Sequence, residues 1–349
     1  MQNDFVLYGA NGYTGELIAR LSKEYGLRPL LSGRNDDAIK SLANELELDY
    51  CITDLNDTEG LDKLLQGQQL VIHAAGPFSR TAKQMVEACI RNKVHYTDIN
   101  GDISCFELVK TYDQQAKAAN CMLVPGVGFD VVPTDSVAKR IKETLPNTIS
   151  LQLAFATLGG SISHGTATTM AEKLGEGGAK RKNGKIIPAP LGENGMYVDF
   201  GNKYLFVMSI PWGDISTAHH TTGVSNIETF YAVKPSVHKW MKFQHYFNWL
   251  LRLDVVRNIV KKKIDQRPPG PNEKMRKEGI SLVWGKGTSD NGESVTIRLK
   301  GPEGYTFTAH ASLIIAKEIL HGNWKPGYQT PAGQFGSEMV LKVPGVSFY

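Results

Sequence analysis

The feature that most constrains this chain is Gly9-Ala10-Asn11-Gly12-Tyr13-Thr14-Gly15, set between an apolar run, Phe5-Val6-Leu7-Tyr8, and the helical spacing of Leu17, Ile18 and Leu21. A strand that ends in closely spaced glycines and enters a helix leaves backbone N–H groups facing outward, where they can take a dinucleotide pyrophosphate. Gly9 would make the sharp turn, Gly12 would admit phosphate to the backbone, and Gly15 would let the helix pack closely on the strand. Asn11, Tyr13 and Thr14 belong to the same candidate turn. A glycine turn that only reverses the chain is the alternative. Position argues for the nucleotide, because the motif falls at the first strand of an αβ alternation with short connections.

The spacing is GxxGxxG rather than the GxGxxG written for most NAD enzymes, and the wider turn is more often seen with NADP. Arg28-Pro29-Leu30-Leu31-Ser32-Gly33 reads as the second strand and ends on Arg34, about twenty residues past the glycines, where an NAD enzyme places Asp or Glu on the ribose 2′-hydroxyl. A carboxylate there would repel a 2′-phosphate, whereas a guanidinium binds it through two parallel charge-assisted hydrogen bonds. Ser32, Gly33 and Arg34 are therefore expected at the adenosine phosphate of NADP. The alternative is a solvated Arg34, with Asp36 or Asp37 on the ribose.

Further along, apolar spacing predicts a helix over 38–48 and a third strand over 50–52, with Asp54 and Leu55 near the adenine. Leu70-Val71-Ile72-His73-Ala74-Ala75-Gly76-Pro77 is an apolar strand that breaks at Gly-Pro. Such a run reads as buried on both faces with its carboxyl end in the ligand crevice, so Ala75, Gly76, Pro77 and Phe78 are candidates for the nicotinamide half. Helices over 81–92 and 106–119 alternate with strands over 95–99 and 121–126, which brings the count to six.

At 349 residues the chain has room for two domains. Past residue 126 strands dominate: 150–157, 186–187, 204–210, 228–233, a hairpin of 281–286 with 294–299 across Asp290-Asn291-Gly292, and 305–311. An amphipathic stretch at 134–145 precedes them. The expected fold class is α/β: a Rossmann doubly wound parallel sheet over 1–130, plus a second α+β domain with a largely antiparallel sheet over 131–311. Residues 312–349 would pack back on the first domain. Segment 235–264 carries Trp240, Phe243, Phe247, Leu250, Leu251, Val255 and Ile259 at helical spacing beside Lys261-Lys262-Lys263. The expectation for such a helix is packing on its own domain or a partner subunit, with contact at a membrane surface as the alternative.

Hydrophobic and charged contents of 41% and 21% are those of a soluble globular protein, and a net charge of +4 needs no nucleic acid to explain it. Cys51, Cys89, Cys105 and Cys121 form no CxxC pair, so neither a zinc site nor a disulfide framework is expected. His219-His220, read as part of a strand, would face opposite sides without acidic or thiol companions, so no metal is assigned. Met1 to Asp4 lead straight into the first strand, leaving no room for a signal peptide, and no run is long enough to span a bilayer. Cytoplasm is the expected compartment, and strand edges of the second domain could pair two copies into a homodimer.

Gly9 to Gly15, Ser32-Gly33-Arg34, Ala74-Ala75-Gly76-Pro77-Phe78, Tyr96-Thr97-Asp98-Ile99-Asn100-Gly101 and Gly128-Phe129-Asp130-Val131-Val132-Pro133-Thr134-Asp135 together resemble the saccharopine dehydrogenase-like family. Within it the chain is closest to the trans-acting enoyl reductase branch, whose carboxyl end is similar to residues 327–341 with Thr330-Pro331-Ala332. The match covers the first 140 residues well and later ones in patches. The resemblance implies a NADP-binding Rossmann domain, a mixed α/β second domain, and hydride transfer to an unsaturated carbon or imine. The polar residues with which saccharopine enzymes recognise two amino-acid moieties find no match, which favours an apolar small-molecule substrate.

Hydride donation belongs to the cofactor, so the protein must hold the acceptor, polarise it and supply a proton. Candidates are Tyr96 and Asp98 at the fifth strand, Asp130 and Asp135 after the sixth, and His164, a residue type suited to general acid–base work. Each has a structural alternative: Asp98 anchoring a turn, Asp135 bonding helix N–H groups, His164 capping a helix. Two rival enzyme classes fail on residues. None of the thirteen tyrosines has a Lys four residues later, as short-chain dehydrogenases require, and Cys105 and Cys121 do not fit a semialdehyde-reductase nucleophile. A non-catalytic NADP-binding regulator or scaffold remains the alternative of a different class.

Overall fold

The computed structural model describes residues 3–349, apart from the side chains of Gln244 and His245. Met1 and Gln2, on which the expectation about a signal peptide partly rests, lie outside the described residues. The chain forms two compact units: one runs to Val132 and resumes over Tyr305–Val343, the other comprises Pro133–Gly304 and Pro344–Tyr349.

The first unit opens with β1 (Phe5–Tyr8), α1 (Tyr13–Leu21), β2 (Pro29–Gly33), α2 (Asp36–Leu46), β3 (Tyr50–Ile52), α3 (Thr58–Leu65), β4 (Leu70–His73), α4 (Phe78–Asn92), β5 (His95–Asp98), α5 (Ile103–Thr111), α6 (Asp113–Ala118) and β6 (Met122–Val124). The second begins within α7 (Val132–Thr144) and continues through β7 (Thr148–Leu158), α8 (His164–Glu172), β8 (Gly178–Lys182), β9 (Lys185–Ala189), β10 (Gly195–Asp199), β11 (Tyr204–Ser209), α9 (Asp214–Thr222) and β12 (Asn226–Ala232). It then runs through α10 (Pro235–Gln244), α11 (Asn248–Leu251), α12 (Asp254–Asp265), α13 (Glu273–Glu278), β13 (Ile280–Ser289) and β14 (Ser294–Pro302). α14 (Gly304–Leu320), β15 (Gly327–Tyr328) and α15 (Pro331–Phe335) return to the first unit, and β16 (Ser347–Phe348) closes the second.

Sheet order in the first unit is β15-β6-β5-β4-β1-β2-β3, and every pairing is parallel. Strand order reverses between β1 and β4, so ligands should bind outside the carboxyl ends of those strands. β1 and β4 are buried along their whole length, which is why they read as unbroken apolar runs rather than alternating ones. Asn35, Asp57 and Asp102 cap α2, α3 and α5, accepting from the N–H groups of Ala38, Gly60 and Ser104.

The second sheet runs β10-β11-β12-β7-β13-β14-β16, with the β8–β9 hairpin joined at β12. Its pairings are antiparallel except β12 with β7. α7 lies close over β13 because Gly285 and Gly287 offer no side chain: a Cβ on Gly285 would sit 2.4 Å from Val137 Cγ1, and one on Gly287 2.2 Å from Ile141 Cγ2.

Five sequence expectations are corrected. Residues 305–311 begin α14 and are not a strand; that helix is buried nearly all round, so it shows no polar face to give the helical period. Residues 106–119 divide at Tyr112 into α5 and α6, and 235–264 divide into α10, α11 and α12. His219 and His220 belong to α9, where His219 Nδ1 lies 2.8 Å from Val224 O. β15 adds a seventh strand beside β6, too short to register as a pattern. Among the described residues no helix is long and apolar enough to cross a membrane.

Gly287→Ala should overpack the α7–β13 contact and cost about 1–3 kcal/mol, read as a lower denaturant midpoint at unchanged slope. An unchanged midpoint would mean that the helix is free to lift.

Candidate cofactor site

Gly9 ends β1 with φ +84°, a conformation glycine tolerates, and a Cβ there would fall 2.7 Å from Ala75 N. Gly15 is tighter still, since its Cβ would stand 2.2 Å from Gly9 O. The turn thus locks α1 to β1 and to the loop that follows β4. Gly12 is the N-cap of α1 and supplies no side-chain acceptor to the first helical turn, which leaves the positive end of the helix facing outward for an anion. Tyr13 stacks edge-on against Tyr305 at 5.1 Å, and Thr14 is half-buried beside it. Asn11 is exposed at the turn, with its Oδ1 3.1 Å from the position a Gly33 Cβ would take.

At the end of β2, the carbonyl of Ser32 accepts from Gly9 N at 2.8 Å and Ala10 N at 3.2 Å. Its hydroxyl is fully buried yet has no hydrogen-bond partner among the described residues, which suits a polar ligand group beside the glycine turn. Arg34 is exposed and makes no hydrogen bond or ion pair among the described residues. Its charge is felt at Tyr8, whose hydroxyl donates to Thr53 O at 2.9 Å. Burial first, and Asp54 second, push the Tyr8 phenol up to about 12, while Arg34 pulls the other way. Arg34 and Asp54 therefore flank one bridge between β1 and β3. Asp54 Oδ1 accepts from the backbone and side-chain N–H of Asn56, both at 2.8 Å, and Leu55 packs on the core.

After β4, Gly76 is exposed while Ala75, Pro77 and Phe78 are half-buried. Two residues that sequence reasoning missed hold this loop. His73 is fully buried, and burial pushes its imidazole down to about 3, so it stays neutral. Its Nε2 lies 3.0 Å from Thr81 Oγ1, and that hydroxyl donates to Ala75 O at 2.7 Å. A histidine inside an apolar strand was the available signal.

Asp98, at the end of β5, is fully enclosed. It accepts from Tyr96 Oη at 2.6 Å, Asn100 Nδ2 at 2.7 Å, Gly126 N at 2.8 Å and Asn100 N at 3.1 Å. Burial raises its proton affinity, and these bonds pull it back only in part. Tyr96 is likewise enclosed, and burial holds its phenol well above the usual range. The pair acts as an anchor for the 98–101 and 126–130 loops.

Asp130 is different. Its Oδ2 lies 2.6 Å from where a Gly101 Cβ would be, so the anchored loop forms its floor. Burial pushes its carboxyl up to about 7, inside the range where a side chain can both give and take a proton. The loop before it is pinned from α14, where Thr308 Oγ1 accepts from Phe129 N at 3.0 Å. Thr308 escaped sequence reasoning because its segment was read as a strand.

His164 and Asp135 belong to the second unit. His164 opens α8 behind the capping Ser163, with its Nε2 2.5 Å from Arg267 O and its backbone N–H bonded to Pro269 O. Asp135 is fully buried in α7 and accepts from Thr221 Oγ1 at 2.6 Å.

Residues 5–124 match the family described as the saccharopine dehydrogenase NADP binding domain. A trans-acting enoyl reductase of Mycobacterium leprae is 29% identical over 140 residues, which cover 38% of this chain and 34% of that protein. The matched segment thus spans about a third of the curated relative. Among solved structures, saccharopine dehydrogenase (L-Glu forming) of Saccharomyces cerevisiae aligns with a TM-score of 0.65 at 12% identity, covering 98% of this chain and 96% of that one. Homospermidine synthase of Legionella pneumophila, solved in complex with NAD, aligns with a TM-score of 0.66 at 10% identity, covering 100% and 91%. At such identities these two likenesses concern the fold.

Asp98→Ala should cost about 3 kcal/mol or more, because it strands buried donors from Tyr96, Asn100 and Gly126. Asp130 sets a pH dependence of the opposite kind to a salt-bridged carboxylate. Burial pushes its carboxyl in the folded state up to about 7, above the ordinary aspartate value of 3.8, so the folded state holds the extra proton between them and stability falls as pH rises through that window. Asp130→Asn should flatten that slope in melting temperatures taken from pH 4 to 8; an unchanged slope would reject the assignment.

Proposed function

From the match of residues 5–124 to the saccharopine dehydrogenase NADP binding domain, we infer that the chain is an NADP(H)-dependent oxidoreductase that directs hydride to an unsaturated carbon or imine of an apolar substrate. The observation that carries this inference is the glycine turn with the orphaned Ser32 hydroxyl behind it and an uncommitted guanidinium, Arg34, beside it. Those residues fit a dinucleotide whose adenosine bears a 2′-phosphate. The name of the mycobacterial relative favours an enoyl acceptor within that class, on a match confined to 140 residues.

When bound, the cofactor supplies the hydride. The chain's own residues do the rest. Backbone N–H groups of the 9–15 turn bind the diphosphate; Ser32, Gly33 and Arg34 take the ribose phosphate; Asp54 and Leu55 border the adenine. Ala75, Gly76, Pro77 and Phe78 line the nicotinamide half, held by the His73–Thr81 pair. Asp130 exchanges the proton that must accompany hydride, and Tyr96 with Asp98 keep its floor in position. His164 is outside this scheme, since its Nε2 is engaged by Arg267 O. Cytoplasmic residence and pairing of two copies through sheet edges complete the proposal, and the chemistry needs neither. A non-catalytic NADP-binding scaffold is the second reading, favoured by the aromatic side chains that α10 to α12 leave exposed.

Calorimetry with NADPH and NADH, followed by turnover of a panel of enoyl thioesters, imines and aldehydes, tests the two. Binding with reduction of any panel member supports the enzyme; binding without turnover, together with a stable protein complex, supports the scaffold. Arg34→Ala should weaken NADPH roughly 10- to 100-fold, as expected for lost hydrogen bonds to a charged phosphate, and leave NADH within about twofold. Equal losses for both would remove the case for NADP selection.

A further inference from the structure

α10, α11 and α12 turn their aromatic and several of their aliphatic side chains away from the unit that carries them. Trp240 is 78% exposed, Trp249 68% and Val255 69%, and Phe243, Phe247 and Ile259 are all more than half exposed. The segment does have an inner face. Ile264 and Val260 pack on Ala167 and Ala171 of α8, Lys261 pairs with Glu172 at 3.0 Å, Arg257 pairs with Glu176 at 3.5 Å, and Arg252 Nε donates to Gly175 O at 3.0 Å. Cations, aliphatic residues and the buried His238 of α10, whose Nε2 lies 2.8 Å from Gly192 O, thus hold it down while its tryptophans and phenylalanines face out. An ordinary surface helix does the reverse and sends its aromatics to the core.

The charge of the segment points the same way. Residues 235–267 contain eight Lys and Arg against two Asp, a net +6, whereas the whole chain is +4, so everything outside the segment sums to −2. Lys239, Lys262 and Lys263 are exposed and make no ion pair among the described residues.

We propose that this surface docks on an anionic phospholipid face, with Trp240 and Trp249 at headgroup depth and the uncommitted lysines on lipid phosphates. Indole and phenyl rings favour that boundary because their bodies are apolar and an indole N–H can still meet water or phosphate. Basic residues beside them gain from the negative surface potential. A second copy of the chain is the poorer occupant, since a two-fold interface presents the same patch twice and would set one net positive face against another, even with Glu172 and Glu176 counted beside Lys261 and Arg257. Attachment is peripheral and salt-sensitive, as no described helix can span the bilayer. The proposal does not rest on the hydride-transfer chemistry.

Flotation of the full chain with vesicles tests it, comparing pure phosphatidylcholine with a mixture in which one lipid in three is phosphatidylglycerol. Flotation with the mixed vesicles should exceed that with the neutral ones at least about tenfold and fade at high salt. Tryptophan emission should shift to the blue on binding, and Trp240→Ala with Trp249→Ala should abolish that shift. Lys262→Glu with Lys263→Glu should cut flotation at an unchanged melting temperature. Absence of flotation with anionic vesicles, indifference to the lysine changes, or a dimer in light scattering that the tryptophan changes dissociate would each overturn the proposal.

Discussion

A single enclosed carboxylate ties together the carboxyl ends of two neighbouring strands. Asp98 leaves β5 and takes hydrogen bonds from its own strand through Tyr96, from its own loop through Asn100, and from the loop after β6 through Gly126 N. Its backbone carbonyl adds a fifth bond, from Val127 N at 2.7 Å. Burying an ionisable group is costly, and the cost is tolerable here because both carboxyl oxygens find donors. What the arrangement secures is the position of two loops at the ligand end of the sheet. Its bonds to Asn100 also hold the loop that brings Gly101 under Asp130.

Two aspartates of the same unit thus meet different surroundings. Asp98 is held by hydrogen bonds on both carboxyl oxygens, while Asp130, set against a bare glycine, is pushed up to about 7 by burial. A similar division holds around β4, where neutral His73 and Thr81 brace a loop whose outer residues stay open.

Much of this was legible in the residues. Apolar runs bounded by Gly and Pro gave the parallel strands of the first unit, and the glycine spacing located the turn, because both patterns are local. The misses share a cause in long-range burial. α14 is buried on nearly every side, so its residues carry no polar stripe, and the strand assigned to 305–311 hid Thr308, which pins the loop before Asp130. Tyr96 and Asp98 stood out as chemistry-bearing residues, but their enclosure depends on partners such as Gly126, 28 residues away. The helical period of 235–264 picked out the aromatic residues but neither the breaks between α10, α11 and α12 nor the direction the aromatics face; the anchoring carboxylates, Glu172 and Glu176, lie far upstream.

The first unit is interrupted by the second, and this has a bearing on how the chain is made. Its sheet is complete through β6 by residue 124, yet β15, which covers the outer edge of β6, begins only at residue 327. At a ribosomal pace of about 5–20 residues per second, that edge stays bare for roughly ten to forty seconds of synthesis. An uncovered parallel edge is a template for mispairing, so the nascent polypeptide passes through an interval in which chaperone occupancy of that rim would matter most.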